Sequence, residues 1–440
     1  MSDPADSFDN VSDRWGREQV LGLAPDAASA KAAGGVAKPV KWSGTGSDGE
    51  AVWGECQGSG KSVYRTCADL TEPAFRCSCP SRKFPCKHAV GLLLLWSDGT
   101  VPAGPRPGWA AEWLHERRQR ADKAAERRAD TKAKDPKTAE RRERRVDDGL
   151  AELDQWLRDQ VTHGLAQAEK APYRMWDDVA RRLVDAQASA LAGQVRGLAA
   201  VPRQPGWPDR LLEEYALMRL LVRAYQERDR LPPELRDTVR SRVGFTLAQD
   251  EVLAEGERVR DRWYVTGTHD TEQDRLTTRR IWLRGRESGR PALVLSFGVP
   301  GRPLDVSLVV GTEVEAELAF YPGAQPLRAL VAERLGTTAG TAPHGTSVRE
   351  FLAEHAAALA RDPWLARWPA VLRSVRLARS GPTALHVVDA DGDSLPLRPT
   401  DPWRLLAVSG GAPFTFAGEW GPRGLRPLSA WHEDEGIVIL

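Results

Sequence analysis

Hydrophobic and polar residues alternate along two short stretches near one end of the chain, at 51–56 and 62–67. The segment 57–60 between them reads Gln-Gly-Ser-Gly, and alternation on both sides of a glycine-rich turn predicts a β-hairpin. The apolar run 89–96 that follows has the length of a short buried helix. Residues 1–48 ahead of the hairpin are mostly small and polar, so we expect a polar N-terminal segment there, with a short helix over 12–21.

A helical spacing of three and four residues begins at about residue 147. Leu150, Leu153, Leu157 and Val161 recur at this spacing and predict an amphipathic helix. Further helices follow, and the connections between them are short enough to favour antiparallel packing. The range 147–248 is therefore predicted to be a helical domain.

A polar connection, 97–146, separates the apolar run from the helical domain. It begins rich in proline and glycine, and its stretch 116–145 holds 13 Lys and Arg against 7 Asp and Glu. Such a stretch cannot bury enough apolar surface to fold alone. We expect a charged basic linker, either a solvated helix or a disordered tether, with contact to a phosphate backbone as a further reading.

From about residue 249 the pattern becomes typical of strands separated by Gly, Pro and charged turns. Strands are predicted at 263–266, 280–283, 292–297, 307–310, 314–320, 384–388, 403–408, 414–416 and 437–440. Helices are predicted at 348–359 and 364–377. The range 249–440 is thus predicted to be an α+β domain with an antiparallel sheet, and the whole chain an α+β multidomain protein.

Length and composition limit the number of domains, the net charge and the expected location of the protein. A chain of 440 residues is long enough for two or three domains. Its net charge of +1 provides no overall field that would recruit nucleic acid or a membrane. The sequence has no apolar run of about 18 residues and no basic and apolar leader, so we expect a cytoplasmic protein without a membrane partner.

The chemistry is concentrated in one short segment. Cys77, Cys79, Cys86 and His88 form the pattern C-x-C-x6-C-x-H and use three of the five cysteines. In extended backbone, residues two apart point to the same face, so each pair can meet one ion. Three thiolates and one imidazole suit a closed tetrahedral zinc site, and such a cluster favours a reducing compartment.

Other readings of the cysteines are weaker. The cluster could consist of ordinary cysteines without metal, whereas a redox role is disfavoured because C-x-x-C is absent. Cys56 and Cys67 lie on the two hairpin strands and are predicted to be packing residues, with a disulfide or a second metal left open. The segment 58–62 ends like a phosphate-binding loop, but Glu55 stands where that motif needs glycine.

These residues resemble the SWIM zinc finger, whose signature is C-x-C-x(n)-C-x-H. Together with Trp53-Gly-Glu-Cys-Gln-Gly-Ser-Gly60, they look like the bacterial SWIM-type zinc finger proteins in particular. The resemblance covers 49–96 and implies a small zinc-stapled ββα finger. It also implies one structural Zn²⁺ held by Cys77, Cys79, Cys86 and His88.

Function is expected to be binding rather than catalysis. The resemblance implies a nucleic-acid or protein partner, and basic side chains beside Tyr64 and Phe84 suit phosphate contact with base stacking. These basic residues are Lys61, Arg65, Arg76, Arg82, Lys83 and Lys87. The alternative interpretation is that Arg82 and Lys83 only keep the loop exposed to solvent.

A second hypothesis is a protein–protein adaptor without direct DNA binding. The resemblance implies association with MoxR-type AAA ATPases and von Willebrand factor A-domain proteins. An enzyme with its site in the C-terminal domain is the least expected reading, because no constellation of catalytic residues is visible in 249–440.

Overall fold

The computed structural model of the protein describes residues 14–58, 62–71, 73–81, 83–128, 136–273, 276–298, 304–381, 384–399, 402–432 and 436–440. It combines an N-terminal sheet with helices, a helical region, a closed barrel and a C-terminal sheet. The chain is an α+β multidomain protein, as its hydrophobic pattern predicts. Within the described residues, no helix is both long enough and apolar enough to cross a lipid bilayer.

Four antiparallel strands and three helices form the N-terminal region. In chain order they are α1 (Arg17–Gly22), α2 (Ala27–Val36), β1 (Trp42–Ser47), β2 (Ala51–Gln57), β3 (Val63–Asp69), β4 (Ala74–Cys77) and α3 (Lys87–Ser97). The strands lie side by side in sequence order. The predicted hairpin is confirmed as β2 and β3, which pair from Ala51 opposite Asp69 to Gln57 opposite Val63.

The predicted polar segment contains α1, α2 and β1. The short helix predicted at 12–21 overlaps α1, and its residues 12 and 13 lie outside the described residues, whereas α2 and β1 were not predicted. Helix α2 is rich in alanine, the best helix former, and the Asp26 side chain accepts a hydrogen bond from Ser29 N at 2.7 Å to cap its first turn. This helix lies close against α3 at Gly91, where an added Cβ would stand 2.7 Å from Val36.

Helix α3 is the centre of the N-terminal core. It is buried from His88 to Trp96 between the sheet and the first two helices. Val306 and Val309, from the segment before strand β8 (Thr312–Phe320), belong to the same cluster of buried side chains. The finger therefore packs into a core larger than that of the small ββα unit that the resemblance implies.

Helices occupy the middle of the chain, over 108–128 and 136–255. They are α4 (Gly108–Arg128), α5 (Pro136–Thr162), α6 (Tyr173–Asp185), α7 (Ser189–Leu198), α8 (Trp207–Gln226), α9 (Pro233–Val243) and α10 (Gln249–Glu255). Much of the predicted linker is thus helical. Helix α4 buries Ala110 and Leu114 against Trp53 and Cys67 of the N-terminal sheet, so that part of the linker is attached to it.

The helices from α5 to α9 share one apolar core. Leu150, Leu153 and Leu157 are buried in it, which confirms the predicted amphipathic helix, whereas Val161 near its end is half exposed. Trp176 and Tyr215 lie at the centre of the aromatic contacts in this core. Since these contacts join different helices, they fix the helices against one another.

Five strands after the helices close into a barrel: β5 (Glu257–Gln273), β6 (Leu276–Gly285), β7 (Pro291–Gly298), β8 and β9 (Arg328–Ala339). Their order around the barrel is β5-β6-β7-β9-β8, and only β7 and β9 pair in parallel among these described pairs. The predicted strand at 307–310 is wrong, because that segment is a loop that carries Val309 into the N-terminal core.

An antiparallel sheet forms the C-terminal part, as predicted, and it has six strands. Its strands are β10 (Trp368–Ser380), β11 (Ala384–Val388), β12 (Ser394–Pro396), β13 (Phe414–Gly421), β14 (Gly424–His432) and β15 (Gly436–Ile439), in the order β12-β11-β10-β13-β14-β15. Two helices accompany it, α11 (Val348–Arg361) and α12 (Pro402–Ser409).

Two predicted elements of this region are wrong. The predicted helix 364–377 is mostly strand β10, which pairs with β13 from Trp368 opposite Trp420 onward. The predicted strand 403–408 is helix α12, in which Leu405 and Val408 are buried three residues apart while Trp403 is exposed. In both cases a distant pairing or packing partner overrides the local pattern.

Candidate metal centre

The four predicted ligands come together where strand β4 meets helix α3. Cys77 ends β4, Cys79 lies in the following turn, Cys86 precedes the first residue of α3, and His88 is in its first turn. Their ligand atoms all lie within 4.8 Å of one another. Cys86 and His88 are buried, and the other two are half-buried.

Hydrogen bonds join this turn to the neighbouring strand. Ser78 N donates to the Arg65 carbonyl at 3.0 Å, and Arg65 N donates to Ser78 Oγ at 3.0 Å. Thr66 Oγ1, from the same strand, donates to Cys77 Sγ at 3.2 Å. Strand β3 therefore positions the first cysteine pair, while the helix that begins at Lys87 positions the second.

Negative charge on one of the three sulfurs disfavours negative charge on the other two. A hydrogen bond from Cys86 is the chief cause that lowers the pKa of Cys77 to about 3. The same hydrogen bond raises the pKa of Cys86 far above its usual range, and burial raises the pKa of Cys79. Three sulfurs this close cannot all be thiolates unless a cation offsets their charge. The arrangement therefore has the electrostatic character of a divalent metal site.

The donor set fits one structural Zn²⁺. Three sulfurs and the His88 imidazole complete a four-coordinate site with protein atoms alone, which is the composition of closed structural zinc sites. The amino-terminal end of α3 adds partial positive charge beside Cys86, which favours thiolate there. Such a metal would join β4 to α3 across the 78–85 turn.

The predicted contact residues are spread over the rim of this site. Arg65 is on β3 and pairs with Glu55 at 3.1 Å. Arg76 on β4 and Lys87 at the start of α3 are exposed. Lys83 pairs with Asp26 at 2.7 Å. The remaining two predicted residues, Lys61 and Arg82, lie outside the described residues.

A groove of about 650 Å³ lies between helix α2 and the metal-binding turn. Its wall includes the ligands Cys79 and His88, and three lysines face it: Lys41, Lys83 and Lys87. Among the described residues that line it, none carries a carboxylate. Lys41 is not among the predicted contact residues, because α2 was not predicted, although Asp26 at its start is a helix-capping signal.

Cys56 and Cys67 are buried and unpaired, which confirms their prediction as packing residues. Burial raises the pKa of Cys67 to about 12, so this thiol stays protonated. Among the described residues, the one cluster of metal-ligating side chains is the four-residue group already named.

Comparison with known protein families agrees with this geometry. The family model for the SWIM zinc finger matches residues 76–96, from the end of β4 through α3. The model for the SWIM-associated four-helix bundle domain matches residues 141–243, from α5 through α9. No curated protein and no solved structure matches the chain at a significant level. The chain therefore carries a SWIM zinc finger with a Cys₃His ligand set, followed by a SWIM-associated helical domain.

Proposed function

We propose that the SWIM finger binds nucleic acid in the groove between α2 and the metal-binding turn, with zinc in a structural role. The observation that carries the proposal is the lining of that groove, which presents three lysines and, among its described residues, no carboxylate; Lys83 is paired with Asp26 outside the lining, and Lys41 and Lys87 have no ion pair among the described residues. Lysines on one side of a cleft attract a phosphate backbone and release its counterions. The proposed role is a non-catalytic one in a reducing cytoplasm.

The metal would set the shape of this groove. Cys79 and His88 are part of its wall, and Lys83 and Lys87 flank Cys86 in sequence. Helix α2 forms the opposite wall with the small residues Ala28 and Ala32, which leaves the cleft open. Loss of zinc would therefore displace two of the three lysines relative to Lys41.

Aromatic rings stand beside the lysines. Tyr64 lines the groove, and its ring centroid is 5.1 Å from that of His88. Phe84 is 41% exposed on the turn itself. Exposed rings beside cationic side chains suit stacking of unpaired bases, which favours single strands over duplex.

Fluorescence anisotropy with labelled single-stranded and duplex oligonucleotides tests the proposal. Three lysine contacts predict that affinity falls roughly 20- to 40-fold between about 50 and 200 mM salt. The double variant Lys41→Glu, Lys87→Glu should weaken binding about tenfold or more while keeping its zinc.

The matched control is the double variant Lys31→Glu, Lys170→Glu, which makes the same charge change at exposed positions outside the groove. It should bind like the wild type. Equal affinity of the two double variants would contradict the groove as the binding site, and the absence of binding by the wild type would contradict nucleic acid as the ligand.

A protein partner is the second candidate, because apolar side chains are exposed near the groove. Val40 is 87% and Val63 is 53% exposed, next to the groove residues Lys41 and Tyr64. An adaptor for an AAA ATPase or a von Willebrand factor A-domain protein would use such residues. Affinity purification with and without nuclease distinguishes the two, since a protein partner held directly survives nuclease and a nucleic-acid tether does not.

A further inference from the structure

Arginine side chains gather where the barrel meets the C-terminal sheet, far from the finger in sequence. They surround one carboxylate, that of Glu419 on β13, which is fully buried. The arginines are Arg280 on β6, Arg367 just before β10, Arg398 after β12, Arg423 in the β13–β14 turn and Arg426 on β14. The charge of Glu419 acts on all of these side chains except Arg423, while Arg423 is close enough for its charge to act on Arg398 and Arg426.

Glu419 is already satisfied by its own partners. It accepts hydrogen bonds from Arg280 Nε at 2.9 Å, Arg367 Nη1 at 2.6 Å and Trp282 Nε1 at 3.1 Å. Burial by itself would raise the pKa of Glu419, but Arg367 and Arg280 outweigh it and lower that pKa. The carboxylate is therefore ionised, and its charge is matched by these two arginines.

Among the described residues, the other three arginines have no such carboxylate partner. Arg398 is 7% exposed; its Nε donates to the Gly424 carbonyl at 3.2 Å, while its buried Nη1 has no hydrogen-bond partner. Arg426 lies opposite Glu419 across the β13–β14 pair, and its buried Nε also has none. Among the described residues, no carboxylate oxygen lies within ion-pair distance of Arg398, Arg423 or Arg426.

Excess positive charge at this junction is costly. Burial, followed by the charges of Arg426, Arg367 and Arg423, lowers the pKa of Arg398 to about 10. A guanidinium group nevertheless remains charged near neutral pH, and a buried charge without a partner destabilises a fold. An anion between these side chains would remove that cost.

We propose that Arg398, Arg423 and Arg426 bind a phosphate group, carried either by free phosphate or by a nucleoside monophosphate. Guanidinium groups present paired N–H donors that match the oxygens of phosphate. A phosphate dianion offers more acceptors and more charge than a single carboxylate, and three guanidinium groups without an ion pair among the described residues call for both. Exposed Arg423 at the hairpin turn gives the ligand an approach from solvent.

Glycines at the β13–β14 turn keep room for these side chains. A Cβ added at Gly421 would stand 2.8 Å from Arg398 Nη2, and one at Gly424 would stand 2.7 Å from the Pro396 carbonyl. Gly424 also has a φ of +93°, which side chains rarely allow. The turn is thus built so that Arg398 can lie beneath it.

Isothermal titration calorimetry on the zinc-loaded full chain tests the site, with inorganic phosphate and AMP as separate ligands at constant ionic strength. The wild type should bind phosphate saturably. Arg398→Gln and Arg426→Gln should each weaken the Kd about tenfold or more, since each removes charge-assisted hydrogen bonds. Tighter binding of AMP than of phosphate would identify a nucleotide as the carrier, and equal affinities would identify free phosphate.

Arg349→Gln is the matched control, because Arg349 is 81% exposed and pairs with Asp393 away from the cluster. If Arg398→Gln does not fold, Arg423→Gln at the exposed turn takes its place with the same expected direction. Absence of saturable phosphate binding by the wild type overturns the proposal. Equal weakening by Arg349→Gln and the cluster variants overturns it as well.

Discussion

The metal-binding turn of the SWIM finger and the helical bundle that follows it hold their backbones in place by different forces. Between Cys77 and Lys87 the turn contributes few buried apolar side chains, and it depends on four side chains that converge on one point. The bundle buries a continuous set of leucines and aromatic rings from 146 to 243. Its described residues contain no metal-ligating cluster.

The stability of these two regions therefore depends on different conditions. The turn is sensitive to metal, pH and thiol chemistry, whereas the bundle is sensitive to packing. Helix α3 belongs to both, because it carries His88 at one end and a fully buried apolar core along its length. Perturbing each part alone therefore shows how far the two are independent.

Removal of zinc has the largest expected effect. Binding of a structural zinc ion contributes on the order of 10 kcal/mol to the folding of small zinc domains near neutral pH. Cys79→Ser should lose the single zinc by elemental analysis, and backbone amides at 77–88 should exchange faster. Exchange in α5–α9 should not change. Full zinc content in the variant would contradict the site.

Trp176→Ala should destabilise the bundle and leave the zinc site unchanged. Trp176 is 1% exposed and contacts Trp156 and Tyr215, so its removal leaves a large cavity. We expect a loss of about 4 kcal/mol in the free energy of unfolding of the bundle, measured by denaturant titration. Zinc content should equal that of the wild type; a parallel loss of zinc would show that the regions are coupled.

Leu93→Ala addresses the shared helix. Leu93 is fully buried in the core around α3 and lies five residues from His88. The truncation should cost about 3 kcal/mol, read from thermal unfolding, while one zinc per chain is retained. A variant that neither destabilises nor loses zinc would mean that the metal alone fixes α3.

Glu143 provides the smallest effect and a test by pH. Burial raises its pKa, but hydrogen bonds from Tyr225 at 2.5 Å and Arg240 at 2.6 Å lower it overall. The stabilisation is therefore present above the ordinary pKa of 4.5 and is lost as pH falls below it. Glu143→Gln should cost about 1 kcal/mol at pH 7.

The wild type and Glu143→Gln should converge as pH falls from 6 towards 3.5, in thermal melts followed by bundle tryptophan fluorescence. Zinc loss in the same range affects both proteins equally, because Glu143→Gln does not touch the ligands. A difference in melting temperature that persists unchanged at pH 3.5 would contradict the assignment of the effect to the ionised carboxylate.

Short-range features were predictable from the sequence, and long-range ones were not. The metal site and helix α5 could be predicted because each depends on a pattern within a short segment. These patterns are the spacing of Cys77, Cys79, Cys86 and His88 and the helical periodicity of α5. Strand β10 was mistaken for a helix because its stability comes from β13, some 45 positions further along. The barrel closes through β7 and β9, and no local pattern reveals that contact.

The arginine cluster could not be predicted from the sequence for the same reason. Arg280, Arg367, Arg398 and Arg426 come from four separate places in the chain, and each one alone is an ordinary surface residue in sequence terms. The zinc ligands fall within twelve residues, so their spacing can be recognised in the sequence. A site assembled from distant elements becomes visible only when the fold brings its charges together.

The contribution of Val306 and Val309 to the core around α3 has a consequence for synthesis. Roughly 210 residues separate the end of that helix from these valines, so at 5–20 residues per second they follow it about 10 to 40 s later. Until then one apolar side of the finger faces water, and a nascent chain with such a surface is a substrate for chaperones. Early zinc capture would shorten the time during which α3 is free to associate wrongly.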